Sequence, residues 1–88
     1  MITINFDSMN KYKIIAFGIT KELLGGREAS IEIKGQTVGA LRTALNERYP
    51  QLMNLRSLLI AVNNDYADED VLLRPSDEIA LIPPVSGG

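Results

Sequence analysis

Two stretches of this chain are apolar on both faces, but only one stretch repeats with the period of a long helix. In Tyr12 to Phe17, Ile14 and Ala16 alternate with Ile15 and Phe17, and the run is rich in β-branched and aromatic residues. Leu58 to Val62 is a near-continuous apolar run. Such patterns suit strands in the middle of a sheet. The helical stretch is Val38 to about Arg48, where Val38, Leu41, Leu45 and Tyr49 form a single apolar stripe. Thr37 precedes it as a capping residue and Pro50 stops it. One helix covers one face of a sheet. The other face then presents apolar side chains to water or to a partner, unless loops or the first ten residues cover it. Phe17, Tyr66 and Ile82 are the candidates for that patch.

The remaining segments supply the other strands. Ala29, Ile31 and Ile33 alternate with Glu28, Ser30, Glu32 and Lys34, which predicts a strand with one buried and one wet face. It follows Tyr12–Phe17 after a turn of helix over Thr20 to Leu24, closed by Gly25, so the two strands form an antiparallel hairpin. Gln51 to Ser57 reads as a connection with room for a short turn. Asn63-Asn64-Asp65 is turn chemistry, because Asn and Asp tolerate the left-handed region. Tyr66-Ala67 is a short return, and Glu78 to Ile82 is the last strand. A hairpin, one helix and two or three further strands make an α+β roll. Ile2 to Phe6 alternates like a short strand, but the first ten residues read as a loose extension or an extra edge strand.

Composition removes whole classes of chemistry. The 88 residues hold no Cys and no His. Disulfides, zinc–thiolate sites, cysteine nucleophiles and the Ser-His-Asp triad are excluded, and so is the usual general base at neutral pH. A net charge of −2 is a poor footprint for nucleic acid, which calls for a basic face. No stretch approaches the roughly 18 apolar residues of a membrane-spanning helix, so no membrane partner is expected. With no export signal and no disulfide framework, the expected location is cytoplasmic. Gly25-Gly26 lacks the spacing of a phosphate loop and reads as a turn. Asp65, Asp68, Glu69 and Asp70 lack the calcium-loop spacing and read as a solvated loop.

The last residues are the one place left for chemistry. Pro83-Pro84 stiffens the exit from the last strand, and Val85-Ser86 leads to Gly87-Gly88. Glycines can thread a channel too narrow for side chains. A carboxylate on Gly88 is a poor electrophile until it is adenylated, which supplies a leaving group. Sulfur displacing the nucleotide would leave a nucleophilic thiocarboxylate. An amine or thiol acceptor would instead give protein conjugation.

The opening strand followed by Lys21-Glu22-Leu23-Leu24-Gly25, the mid-chain helix, Val62-Asn63, and above all Ser76-Asp77-Glu78-Ile79-Ala80-Leu81-Ile82-Pro83-Pro84-Val85-Ser86-Gly87-Gly88 resemble the small subunit of molybdopterin synthase, the MoaD family. The resemblance runs from Lys11 to Gly88. It implies a ubiquitin-like β-grasp, a mixed sheet of four to five strands with one main helix across one face. Residues 1–10 would be an N-terminal extension, 11–82 the domain and 83–88 a flexible Gly-Gly tail.

The resemblance also implies a role in molybdenum cofactor biosynthesis. An adenylating enzyme similar to MoeB would activate Gly88 with ATP, and a sulfur donor protein would convert it to the thiocarboxylate. The tail, with Gly87 threading, would enter a large subunit similar to MoaE and donate sulfur to the pterin precursor. The chain would bind no cofactor itself and act as the non-catalytic sulfur donor of a transferase complex. Phe17, Tyr66, Ile82, Pro83, Pro84 and Val85 would dock the partners. A related β-grasp carrier for thiamine or tRNA thiolation, or a ubiquitin-like protein modifier, are the alternatives. The proline pair favours the first reading over a thiamine carrier.

Overall fold

The structure is a computed structural model, and it describes residues 9–84. The first eight residues and Val85 to Gly88 lie outside the described residues, so the reading of residues 1–8 and the placement of Val85, Gly87 and Gly88 are not addressed by it.

Among the described residues, five strands form one sheet. They are β1 (Asn10–Ala16), β2 (Glu28–Ile33), β3 (Leu59–Val62), β4 (Asp65–Tyr66) and β5 (Ile79–Ile82). The spatial order is β2-β1-β5-β3-β4. β1 and β2 form the expected antiparallel hairpin, with Ile14 opposite Ala29. The last strand is inserted beside the first and runs parallel to it, with Ile15 opposite Ala80. On its other side β5 pairs antiparallel with β3, with Ala61 opposite Ala80. A short helix α1 (Ile19–Leu24) joins β1 to β2, and α2 (Val38–Arg48) crosses the sheet. This mixed sheet with one main helix is the β-grasp arrangement.

The alternation in the sequence decides which side each residue takes. Tyr12, Ile14, Ile31, Ile33, Ile60, Ile79 and Leu81 are buried with Val38, Leu41 and Leu45 of α2. The Thr37 hydroxyl accepts from the Ala40 N–H at 3.1 Å, capping α2 as its position suggested. Tyr49 ends the stripe half-buried as the C-cap. The connection after α2, where the sequence allows a short turn, holds a 3-10 helix, η1 (Pro50–Asn54), whose Leu52 reaches the core.

The reading of the acidic segment as a solvated loop needs correction at Glu69. Arg42 of α2 is half-buried. Its Nε donates to Glu69 Oε2 at 2.8 Å and its Nη1 to the Leu58 carbonyl at 2.7 Å, so it ties the acidic loop and the start of β3 to α2. The loop is therefore anchored at Glu69. Gly39 weakens the first turn of α2 for a reason visible here. Its N–H donates to the Glu69 carbonyl at 2.8 Å, and a Cβ at Gly39 would sit 3.2 Å from that oxygen.

Candidate docking face and tail exit

Register places the second set of alternating residues on the face that α2 does not cover. Residues opposite one another in a sheet share a face. Ile15 of β1, Ala80 of β5, Ala61 of β3 and Tyr66 of β4 therefore form one row across four strands. Leu59 and Ile82 form the next pair toward the end where β5 exits. Phe17 follows Ile15 on the same side. Phe17 is 49% exposed, Tyr66 70% and Leu59 47%, so the row ends in three large apolar side chains open to solvent. Ile82, Pro83 and Pro84 are half-buried beside them. The three residues named for the patch from the sequence come together. Ile15 and Leu59 belong to it as well, and the alternation that selected Phe17 and Ile82 would have selected them too.

Two shallow hollows follow the face. One of about 230 Å³ is lined by Ile15, Phe17, Ala61, Asn64, Tyr66, Glu78, Ala80 and Ile82. The other, about 450 Å³, is lined by Arg56, Ser57, Leu59, Tyr66, Ile82, Pro83 and Pro84. The second lies where the chain leaves β5 toward the Gly-Gly pair. Neither holds a convergent set of polar groups. Among the described residues, no group of three or more Asp or Glu side chains is placed to hold a metal. No described helix is long and apolar enough to cross a membrane.

The patch is held in place by local chemistry that the sequence did not announce. Thr20 is the one buried polar side chain among the described residues. Its Oγ1 accepts from the Phe17 N–H at 2.8 Å and donates back to the Phe17 carbonyl, so a single hydroxyl fixes the backbone that presents the Phe17 ring. Gly18 then takes φ +57°, a conformation L side chains rarely adopt, and lies against Pro83. At the far end of β5, Asn63 and Asn64 have φ of 52° and 75°, which makes the tight β3–β4 turn. The Asn63 Nδ2 donates to Asp77 Oδ1 at 3.0 Å, and its Oδ1 accepts from the Glu78 N–H at 2.9 Å. Hydrogen bonds from the Arg74 N–H and from Asn63, the first the stronger, hold the Asp77 carboxyl below its usual range. The start of β5 is thereby clamped, and its other end carries the tail.

Comparison with known proteins agrees with this geometry. Residues 14–88 match the ThiS family. A molybdopterin synthase sulfur carrier subunit from Dictyostelium discoideum is 39% identical over 84 residues, covering 90% of this chain and 98% of its own. The small archaeal modifier protein 1 (SAMP1) of Methanosarcina acetivorans superimposes with a TM-score of 0.74 at 27% identity, over 91% of this chain and 98% of its own. Subunit 1 or 2 of the molybdopterin-converting factor of Helicobacter pylori, solved as a complex of the two, matches with a TM-score of 0.61 at 30% identity, over 89% of this chain and 99% of its own. The chain belongs to the ThiS family, with molybdopterin synthase sulfur carrier subunits as relatives along nearly its whole length.

Proposed function

We propose that this chain is the sulfur-carrier small subunit of a molybdopterin synthase. The observation that carries the reading is the junction of two features at one end of the sheet. The exposed row of Phe17, Tyr66 and Leu59 surrounds the point where β5 passes through Pro83-Pro84 toward Gly87-Gly88. A partner that docks on the patch receives the tail. That partner is, in this reading, a large subunit, and the Helicobacter pylori neighbour, solved as a complex of subunits 1 and 2 of its molybdopterin-converting factor, supports a two-subunit assembly. In this reading an adenylating enzyme uses ATP to convert the Gly88 carboxylate to an acyl-adenylate. A sulfur donor protein then supplies sulfur, AMP leaves, and the thiocarboxylate passes its sulfur to the pterin precursor in the large subunit.

Intact mass of the protein purified from its native host tests this. The expected product carries one sulfur in place of one oxygen, confined to the C-terminal glycine, and deletion of Gly88 abolishes cofactor synthesis while the fold persists. Normal cofactor synthesis by the deletion variant overturns the reading. A second reading, attachment to other proteins as a modifier, is favoured by the match to SAMP1. Isopeptide-linked adducts in the same sample are its expected sign.

A further inference from the structure

The topology puts a cation on each side of the tail exit. β5 leaves the sheet between β1 and β3. On the β1 side, Lys21 of α1 and Arg27 before β2 line a hollow with Phe17. On the β3 side, Arg56 lines the hollow with Pro83 and Pro84. All three are exposed. Among the described residues the ion pairs are Lys13 with Glu28 and Arg42 with Glu69, so none of these three cations is neutralised there. Glu28, the one acid in these two hollows, is held by Lys13 at 3.5 Å. A chain of net charge −2 thus carries three cations without an ion-pair partner among the described residues at the tail-exit end of its apolar patch, while Glu78 lines the patch at the opposite end of β5.

We propose that Lys21, Arg27 and Arg56 form an electrostatic half of the docking surface, and that it fits a partner protein whose apolar groove is bordered by carboxylates on both sides. Charges at the rim of an interface steer approach and fix orientation more than they hold the complex together. The rim straddles the exit, so it orients the partner's channel over the tail before the apolar patch closes. The acidic character of the partner follows from the charges. Its identity as a large subunit rests on the function proposed above.

Association kinetics with the purified large subunit of molybdopterin synthase from the same organism test the inference. The triple variant Lys21→Glu, Arg27→Glu, Arg56→Glu is expected to associate about tenfold more slowly at low salt and to lose the dependence on ionic strength. Its dissociation rate is expected to stay within about threefold of wild type. A control variant, Lys11→Glu, Lys34→Glu, Arg48→Glu, makes the same change in net charge away from the exit. Equal slowing in both variants, or no slowing in the first, overturns the inference and leaves the carrier reading standing. Absence of any binding by the wild-type chain overturns both. Far-UV circular dichroism confirms that each variant is folded.

Discussion

A Cβ placed on Gly18 would lie 3.2 Å from Pro83 Cγ, so the N-cap of α1 and the residue that begins the tail lie side by side. Parallel pairing of β5 with β1, with Ala16 opposite Leu81, brings the fifth strand out of the sheet beside Phe17. Gly18→Ala would meet both a positive φ of +57° and the proline ring. Strain of this kind costs on the order of 1–3 kcal/mol. The expected result is a loss of stability of that size in urea unfolding, together with weaker binding to the large subunit. Unchanged stability would show that neither the conformation nor the contact constrains the exit.

Phe17 is half exposed and its ring faces away from the core, so it contributes to docking more than to folding. Phe17→Ala is expected to raise the dissociation constant for the large subunit by more than tenfold, the effect of losing an aromatic anchor worth about 2 kcal/mol. The urea midpoint should move little. A large drop in stability with unaltered affinity would assign the ring to the fold.

Thr20 should show the opposite balance. Its hydroxyl is buried and serves both the N–H and the carbonyl of Phe17. Thr20→Val keeps the shape and leaves the Phe17 N–H without its acceptor, while the Phe17 carbonyl keeps the Thr20 backbone N–H at 3.1 Å; an unsatisfied donor of this kind costs about 1–3 kcal/mol. Thr20→Ser keeps the hydroxyl and should retain the Phe17 geometry. Equal stability of the valine and serine variants would remove the hydroxyl from the account.

Two titrations set the pH dependence. The Asp77 carboxyl is lowered from 3.8, chiefly by the Arg74 N–H and then by Asn63. The folded state therefore binds fewer protons than the unfolded chain as pH falls through this range. Its contribution is present above about pH 4 and is lost as pH drops through the lowered value. Tyr12 is raised from 10.0, first by burial and then by the Asp77 charge, so its contribution holds below about pH 10 and is lost as pH rises through the raised value. Urea midpoints of wild type and Asp77→Ala are expected to converge in acid and separate near neutrality. A constant gap between them at all pH values would place the effect of Asp77 outside its ionisation.

The strands, the main helix and the trio Phe17, Tyr66 and Ile82 were legible because alternation and the three-four spacing act locally. The cap at Thr37 was legible for the same reason. The strand order was not, since the parallel pairing of β1 with β5 joins Ile14 to Ile79 across most of the chain. The resemblance implied a mixed sheet, and the order within it comes from the structure. Thr20, Gly18 and Arg42 were missed or misread because their roles depend on what the fold brings alongside: the Phe17 backbone, Pro83, and Glu69 with Leu58. Nothing in a single Thr, Gly or Arg marks such a partner.

β5 is the only strand that touches both halves of the sheet, with β2 and β1 on one side and β3 and β4 on the other. A nascent chain that lacks Ile79 to Ile82 has two hairpins and no sheet to join them. The segment that leads to the glycine pair is thus also the last strand in chain order among the described residues. The strand that joins the two halves of the platform is therefore also the strand that leads into the tail, so a substitution that loosens β5 disturbs both the sheet and the tail exit.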